Sequence, residues 1–222
     1  MRILLVTIYV LAAGVGLSGV CSCSRPSGLP ANSGHGISVV AGSPLANTET
    51  GLAYDTHFRI GKHRMSGVMY LRQTDPGIWR VALAAKIGQT LFDIEIRPDT
   101  MIVHRVIDEL KRNIVLTWLE RDLRLITGTY PNPERIDKMD SGAETAYYRL
   151  RVAGKKSWVH ITGDKTSGEV NEIALGGKRL KKSIAQFTDY TNGTPGRIAI
   201  DHRTIISFEI RMQRVLTAQQ QP

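Results

Sequence analysis

The stretch Asp75-Pro76-Gly77-Ile78-Trp79-Arg80-Val81-Ala82-Leu83-Ala84-Ala85-Lys86-Ile87-Gly88-Gln89-Thr90-Leu91-Phe92-Asp93-Ile94-Glu95-Ile96 reads as a turn followed by two strands and the loop that joins them. In the first arm Trp79, Val81, Leu83 and Ala85 alternate with Arg80, Ala82, Ala84 and Lys86. In the second, Phe92, Ile94 and Ile96 share one face while Asp93, Glu95 and Arg97 take the other. Successive side chains on a strand point to opposite faces, so each arm has one apolar face and one wet face. Asp75-Pro76-Gly77 and Ile87-Gly88 supply the residues that let the chain turn.

The same grammar extends in both directions. Gly61-Lys62, Pro98-Asp99, Gly154-Lys155, Gly176-Gly177 and Asn192-Gly193 separate apolar runs of strand length. The runs predict five strands at 53–60, 63–73, 78–86, 89–97 and 100–106. Six more are expected at 144–153, 156–163, 169–175, 180–189, 197–202 and 205–214. Short connections make such a series an antiparallel meander. Between the two sets, Leu110, Ile114, Val115, Trp118, Leu119, Leu123 and Ile126 recur at three-to-four spacing, which predicts one amphipathic helix over about 108–126. Asp108 is its expected N-cap and Gly128 its expected stop. One helix covers only part of an eleven-stranded curved sheet, which leaves an apolar concavity suited to a long hydrophobic ligand. The plainer alternative is an ordinary filled core, and periodicity does not choose between them.

The chain has 222 residues, 42% of them apolar and 22% charged, with 29 Lys and Arg against 20 Asp and Glu for a net charge of +9. This is the composition of a globular protein rather than a disordered or multi-span membrane one. Its two cysteines, Cys21 and Cys23, both precede the strands, which excludes a disulfide-stapled scaffold or a Cys-ligated zinc site in the body of the chain. Residues 3–20 are uncharged and largely apolar, follow Arg2, and lead into small residues and cysteine, the order of a secretory signal. A membrane-spanning anchor is the alternative, since 18 such residues lie near the lower limit for a span. Val20-Cys21-Ser22-Cys23 resembles the lipobox of bacterial lipoproteins. Cys23 is the better acceptor of the lipid, because Ser22 suits the cleavage position where bulky Val20 would precede Cys21. The expected organisation is a signal peptide over 1–22, lipidated Cys23 with a Gly- and Pro-rich flexible tether to residue 51, a domain over 52–215, and a tail over 216–222. Ser24-Arg25-Pro26-Ser27 carries no acidic run of the kind that marks surface export, which favours the periplasmic face over the cell surface.

The segment from Asp75 to Ile96 resembles the LolA/LolB superfamily of periplasmic lipoprotein carriers and outer-membrane receptors, the LolB-like branch in particular. In that family an aromatic-Arg strand leads to a short loop with an aliphatic residue before glycine, then to an alternating strand. The helix with Ile114, Trp118 and Leu119, and the ending Pro195-Gly196-Arg197-Ile198-Ala199-Ile200 followed by Ile205 to Val215, agree in order and character. The segment over 24–51 departs from the receptor, whose corresponding residues are commonly helical. The resemblance implies a mainly β, antiparallel half-barrel of about eleven strands whose concave face is covered by one mid-chain helix and holds acyl chains, such as palmitate, of lipidated cargo. It implies a role in lipoprotein localisation to the outer membrane, a LolA-like periplasmic carrier as partner, and no catalytic chemistry. It also implies that Ile87, with Gly88 after it, forms a loop that protrudes and inserts cargo into the membrane; the alternative for Ile87 is an ordinary strand-end residue.

The apolar strand faces and helix stripe nominate a cavity lined by Met65, Met69, Trp79, Val81, Leu83, Phe92, Ile94, Ile96, Trp118, Leu119, Phe208 and Ile210, each of which also suits plain core packing. The six histidines are scattered singly; His57 and His63 are the two that a first hairpin brings near each other, with no carboxylate at metal-ligand spacing, so no metal or other cofactor is expected. No Gly-x-Ser-x-Gly elbow, His-Glu-x-x-His helix or phosphate loop occurs. Lys178, Arg179, Lys181 and Lys182 form the densest basic patch, with Lys155 and Lys156 near another turn. A secreted chain meets anionic membrane or acidic envelope polymer rather than nucleic acid, and strand ends also carry lysine simply to block edge pairing. The competing function is therefore an envelope docking lipoprotein with a filled core and a basic protein-binding edge.

Overall fold

The computed structural model describes residues 44–45, 51–130, 133–140, 144–152, 157–202 and 208–215. Twelve strands form one antiparallel sheet: β1 (Leu52–Ile60), β2 (His63–Asp75), β3 (Ile78–Ala85), β4 (Thr90–Ile96), β5 (Met101–Val106), β6 (Pro133–Asp140), β7 (Thr145–Val152), β8 (Trp158–Asp164), β9 (Val170–Gly176), β10 (Lys181–Thr188), β11 (Arg197–His202) and β12 (Phe208–Arg214). Their spatial order is β5-β4-β3-β2-β1-β12-β11-β10-β9-β8-β7-β6. Two meanders thus meet where β1 pairs with β12, and β5 and β6 are free edges of an unclosed sheet.

The alternation in the sequence sets the register. Across β3 and β4, Trp79 lies opposite Ile96, Val81 opposite Ile94, and Leu83 opposite Phe92, so the apolar residues of both arms stack on one face. The wet face is laced by ion pairs: Arg80 binds Asp93, and Arg97 binds Glu95 at 2.6 Å. The apolar face is lined by buried residues from β1 to β4 and from β7 to β12, gathered with the helix into one core. Leu45, in the Gly- and Pro-rich stretch before the first strand, is fully buried in it. Every buried residue among those described lies between Pro44 and Met212.

One α-helix, α1 (Asn113–Thr127), packs on that face through Val115, Leu119, Leu123 and Ile126 and ends at Gly128, whose φ of 64° is the left-handed stop expected of it. Asp122 and Arg124, two residues apart, project from nearly opposite sides of the helix. Asp122 reaches His202 on β11, while Arg124 reaches the carbonyls of Arg97 and Pro98 in the β4–β5 turn. On a flat sheet β4 and β11 lie five strand steps apart, about 24 Å. A helix about 10–12 Å across touches both because the sheet curls around it.

Two details differ from expectation. The sheet has a twelfth strand, β6, where the sequence alternation gave none. It opens on Pro133 and carries Glu134, Arg135, Asp137, Lys138 and Asp140, a composition that suits an edge strand with a single neighbour, β7. The helix begins later than residue 108. Asp108–Leu110 form a separate 3-10 turn that buries Leu110, and Arg112 stands at the N-cap with no side-chain capping bond. The Asp108 carboxylate instead accepts from Lys111 at 2.5 Å, which holds it below the usual carboxylate range.

Candidate functional site

In an antiparallel meander the chain alternates between two rims. The turns after β1, β3 and β9, and the ends of β5, β7 and β11, share one rim. The turns after β2, β4, β8 and β10 share the other. The first rim presents exposed Lys62, Arg64, Lys86, Lys111, Arg112, Lys178, Arg179 and Lys182, with Asp108 and Glu109 its exposed carboxylates. The second carries Asp75, Asp99, Asp164, Glu169 and Asp189 at its turns, with Arg97, Lys165 and Arg197 as the cations beside them. The sheet therefore has a basic rim and an acidic rim.

Between them lies the concave face. Ten of the twelve residues expected to line it, Met69, Trp79, Val81, Leu83, Phe92, Ile94, Ile96, Leu119, Phe208 and Ile210, are no more than 2% exposed. A void large enough for water would leave accessible surface on its walls, so α1 fills the face over these residues, while a cleft of about 160 Å³ lined by Thr117, Arg124, Tyr130, Val152 and Leu175 lies between α1 and the β7 and β9 side. The remaining two, Met65 and Trp118, are half-buried beside that core. Met65 lies opposite Phe58 across the β1–β2 hairpin. Phe208 stacks edge-on against Phe58 at 4.9 Å and against Trp118 at 5.8 Å between ring centroids. Phe58, Met65, Trp118 and Phe208 thus form an aromatic seam where α1 meets the basic rim. Beside it, a cleft of about 370 Å³ is lined by Phe58 and Met65 together with His57, Arg59, Arg64, Ser66, Glu209 and Arg211.

Two polar contacts fasten the helix over the sheet. Asp122 is fully buried, and its Oδ1 lies 2.6 Å from His202 Nε2. Burial pushes the Asp122 carboxyl up, opposed by the histidine beside it. Its Oδ2 has no partner among the described residues. Ser183 Oγ stands 3.4 Å from His202 Nδ1, which brings serine, histidine and aspartate into one line. All three side chains are sealed from solvent, so the line joins helix to sheet rather than offering a nucleophile to a substrate. Sequence reading missed this cluster because its members lie 19 and 80 residues apart and His202 looked like one of six isolated histidines. The second fastening is Arg124, whose Nη1 donates to Arg97 O at 2.8 Å and Pro98 O at 2.9 Å, while its Nη2 lies 2.9 Å from Glu120.

Ile87 is 88% exposed at the tip of the β3–β4 turn. The turn is closed by Ala85 N–H donating to Gln89 O and Gly88 N–H donating to Ala85 O, each at 2.8 Å. Gly88 has a φ of 89°, a conformation that favours glycine at this position. Lys86 Nζ lies 3.5 Å from Asp55. His57 pairs with Ser66 and His63 with Ile60, so the two histidines of the first hairpin are not opposite each other. Among the described residues no group of three potential ligands could hold a metal ion. No described helix is long and apolar enough to cross a membrane. Cys23, the signal and tether over 1–43 and 46–50, Lys155, Lys156 and the tail over 216–222 lie outside the described residues.

No family model matches the sequence, and no curated protein matches it either. Among solved structures, the chain is similar to a LolA superfamily protein from Nitrosomonas europaea at 9% identity, over 81% of this chain and 90% of that one, with a TM-score of 0.48.

Proposed function

We propose that this chain is a lipid-anchored envelope protein that takes up acyl chains between α1 and the curved sheet and releases them to a bilayer. The observation that carries the reading is the construction of the concave face. It is apolar from β1 to β4 and from β7 to β12, and one short helix tied by two polar contacts is its cover. Loading then requires α1 to yield.

Magnitudes allow that exchange. The helix buries Val115, Leu119, Leu123, Leu125 and Ile126, at about 2 kcal/mol each roughly 10 kcal/mol in all. A sixteen-carbon acyl chain regains about 0.8 kcal/mol per methylene, a closely similar sum. Cargo therefore offsets the apolar cost of lifting the helix, which leaves the two polar fastenings as the net resistance, and it departs when a membrane holds the chain better. In this reading Cys23 carries the anchor on the periplasmic face of the outer membrane, a LolA-like carrier supplies cargo, and Ile87 with Gly88 meets the bilayer at delivery. Burying Ile87 contributes about 1.5–3 kcal/mol, enough to orient a contact and too little to hold one alone.

The filled state of the concave face favours a second reading, a docking protein whose core never opens. Organic extraction of the purified chain from Ser24 onward, followed by lipid mass spectrometry and a fluorescent fatty-acid uptake assay, separates the two. A co-purified lipid, or saturable uptake, is the expected result. A clean extract with no uptake sinks the carrier reading. Ile87→Glu is expected to leave uptake unchanged and to slow transfer to vesicles about tenfold or more; equal transfer by both chains removes Ile87 from the mechanism.

A further inference from the structure

The β9–β10 turn has no part in the apolar cover or the helix fastenings, yet it is the most cationic segment of the sequence. Its sequence is Gly177-Lys178-Arg179-Leu180, followed by Lys181 and Lys182 at the start of β10. Lys181 is engaged inside the sheet, 2.5 Å from Glu172. Lys178, Arg179 and Lys182 are exposed and have no carboxylate partner among the described residues. Leu180 between them is 71% exposed.

This exposure is imposed by the backbone. Gly177 N–H donates to Leu180 O at 2.8 Å, closing the turn. The chain crosses so tightly that a Cβ on Gly176 would sit 2.0 Å from the Leu180 carbonyl oxygen. His160 Nε2 donates to Gly177 O at 2.9 Å and holds the base of the turn to β8. Lys178 and Arg179 thus form the apex of the turn, and Leu180, the residue that closes it, is kept in water between Arg179 and the start of β10. Water disfavours that arrangement, and a soluble polyanion would give the leucine nothing to bury against. A bilayer with anionic headgroups answers both features, taking the cations of the apex onto lipid phosphates and the leucine beside them into the apolar side of the interface. The turns at the opposite rim carry Asp75, Asp99, Asp164, Glu169 and Asp189, which such a surface repels, so the charge distribution also fixes which end approaches.

We propose that the β9–β10 turn is a docking tip for anionic bilayers, with Leu180 inserted and Lys178, Arg179 and Lys182 on lipid phosphates. The tip works whether or not the concave face carries cargo. Its test therefore measures vesicle partition of the empty chain, and the result is independent of lipid uptake.

The chain from Ser24 onward, which contains every buried residue described above, is mixed with phosphatidylcholine vesicles and with vesicles that also contain phosphatidylglycerol, then sedimented. The expected result is at least about tenfold stronger partition onto the anionic vesicles, lost in high salt. Lys178→Glu with Arg179→Glu should lower that partition about tenfold or more. Leu180→Asp should lower it by a similar factor while the circular dichroism spectrum stays that of the parent. Equal partition onto both vesicles overturns the proposal, as does a charge-reversed variant that sediments like the parent. Retention on polyphosphate resin without vesicle binding overturns it too, and assigns the tip to a soluble polyanion.

Discussion

The two rims of the sheet use their charges differently. At the acidic rim, Asp164 and Asp189 build the turns they occupy. Asp164 Oδ1 accepts backbone N–H bonds from Thr166 and Ser167, both at 2.7 Å, and Asp189, at a positive φ of 56°, lies 3.0 Å from Arg197. At the basic rim, Lys178, Arg179 and Lys182 contribute nothing comparable to the fold. Their turn is closed by backbone alone. Charges that fold a turn need no external partner to account for them. Charges held out by a turn that folds without them are available to a partner surface.

That contrast breaks first at the inner groups of the basic rim, which are structural. His202→Ala leaves the sealed Asp122 carboxyl with neither oxygen paired, and a loss of about 3–5 kcal/mol is expected in urea unfolding. A variant as stable as the parent would show that α1 is held by apolar contact alone. Asp164→Ala at the acidic rim comes next. The backbone N–H groups of Ser167 and Thr166 hold the Asp164 carboxyl below its ordinary 3.8, so its stabilisation is complete above that value and fades as pH falls through the lowered one. The variant should therefore unfold at a lower temperature than the parent at neutral pH, and the gap should close in acid. A gap that persists there contradicts the capping role.

His160 sharpens the comparison from the other side, since burial pushes its imidazole down. A histidine with a depressed folded value stabilises fully above the unfolded value near 6.5 and loses that contribution as pH falls. Thermal unfolding of the parent should show this loss on the acid side of 6.5, and His160→Gln should remove it. The smallest effect is expected at the outer charges. Lys178→Ala, Arg179→Ala and Lys182→Ala should each stay within about 0.5 kcal/mol of the parent in the same urea experiment. A larger loss would return those cations to the fold.

The sheet was legible because its strands are wet on one face, so Phe92-Asp93-Ile94-Glu95-Ile96 announces both its period and its inner side. β6 was not, because an edge strand headed by Pro133 and filled with charge has no such period. Gly128 marked the end of α1 through its own backbone freedom, whereas the start moved because Leu110 takes a separate place in the core. The concave-face residues could be named from alternation, but whether that face is open depends on how closely α1 settles, which periodicity does not encode. Ser183, His202 and Asp122 meet only through the curl of the sheet about the helix, and no local pattern reports a contact 80 residues long.

The central claim is that α1 is a displaceable cover. Hydrogen–deuterium exchange of its amides, followed with and without a saturating fatty acid, tests this most directly. The account predicts faster exchange across Asn113–Thr127 in the loaded state, with the amides of β3 and β12 still protected. Uptake of fatty acid with α1 exchange unchanged, or no uptake at all, would contradict it.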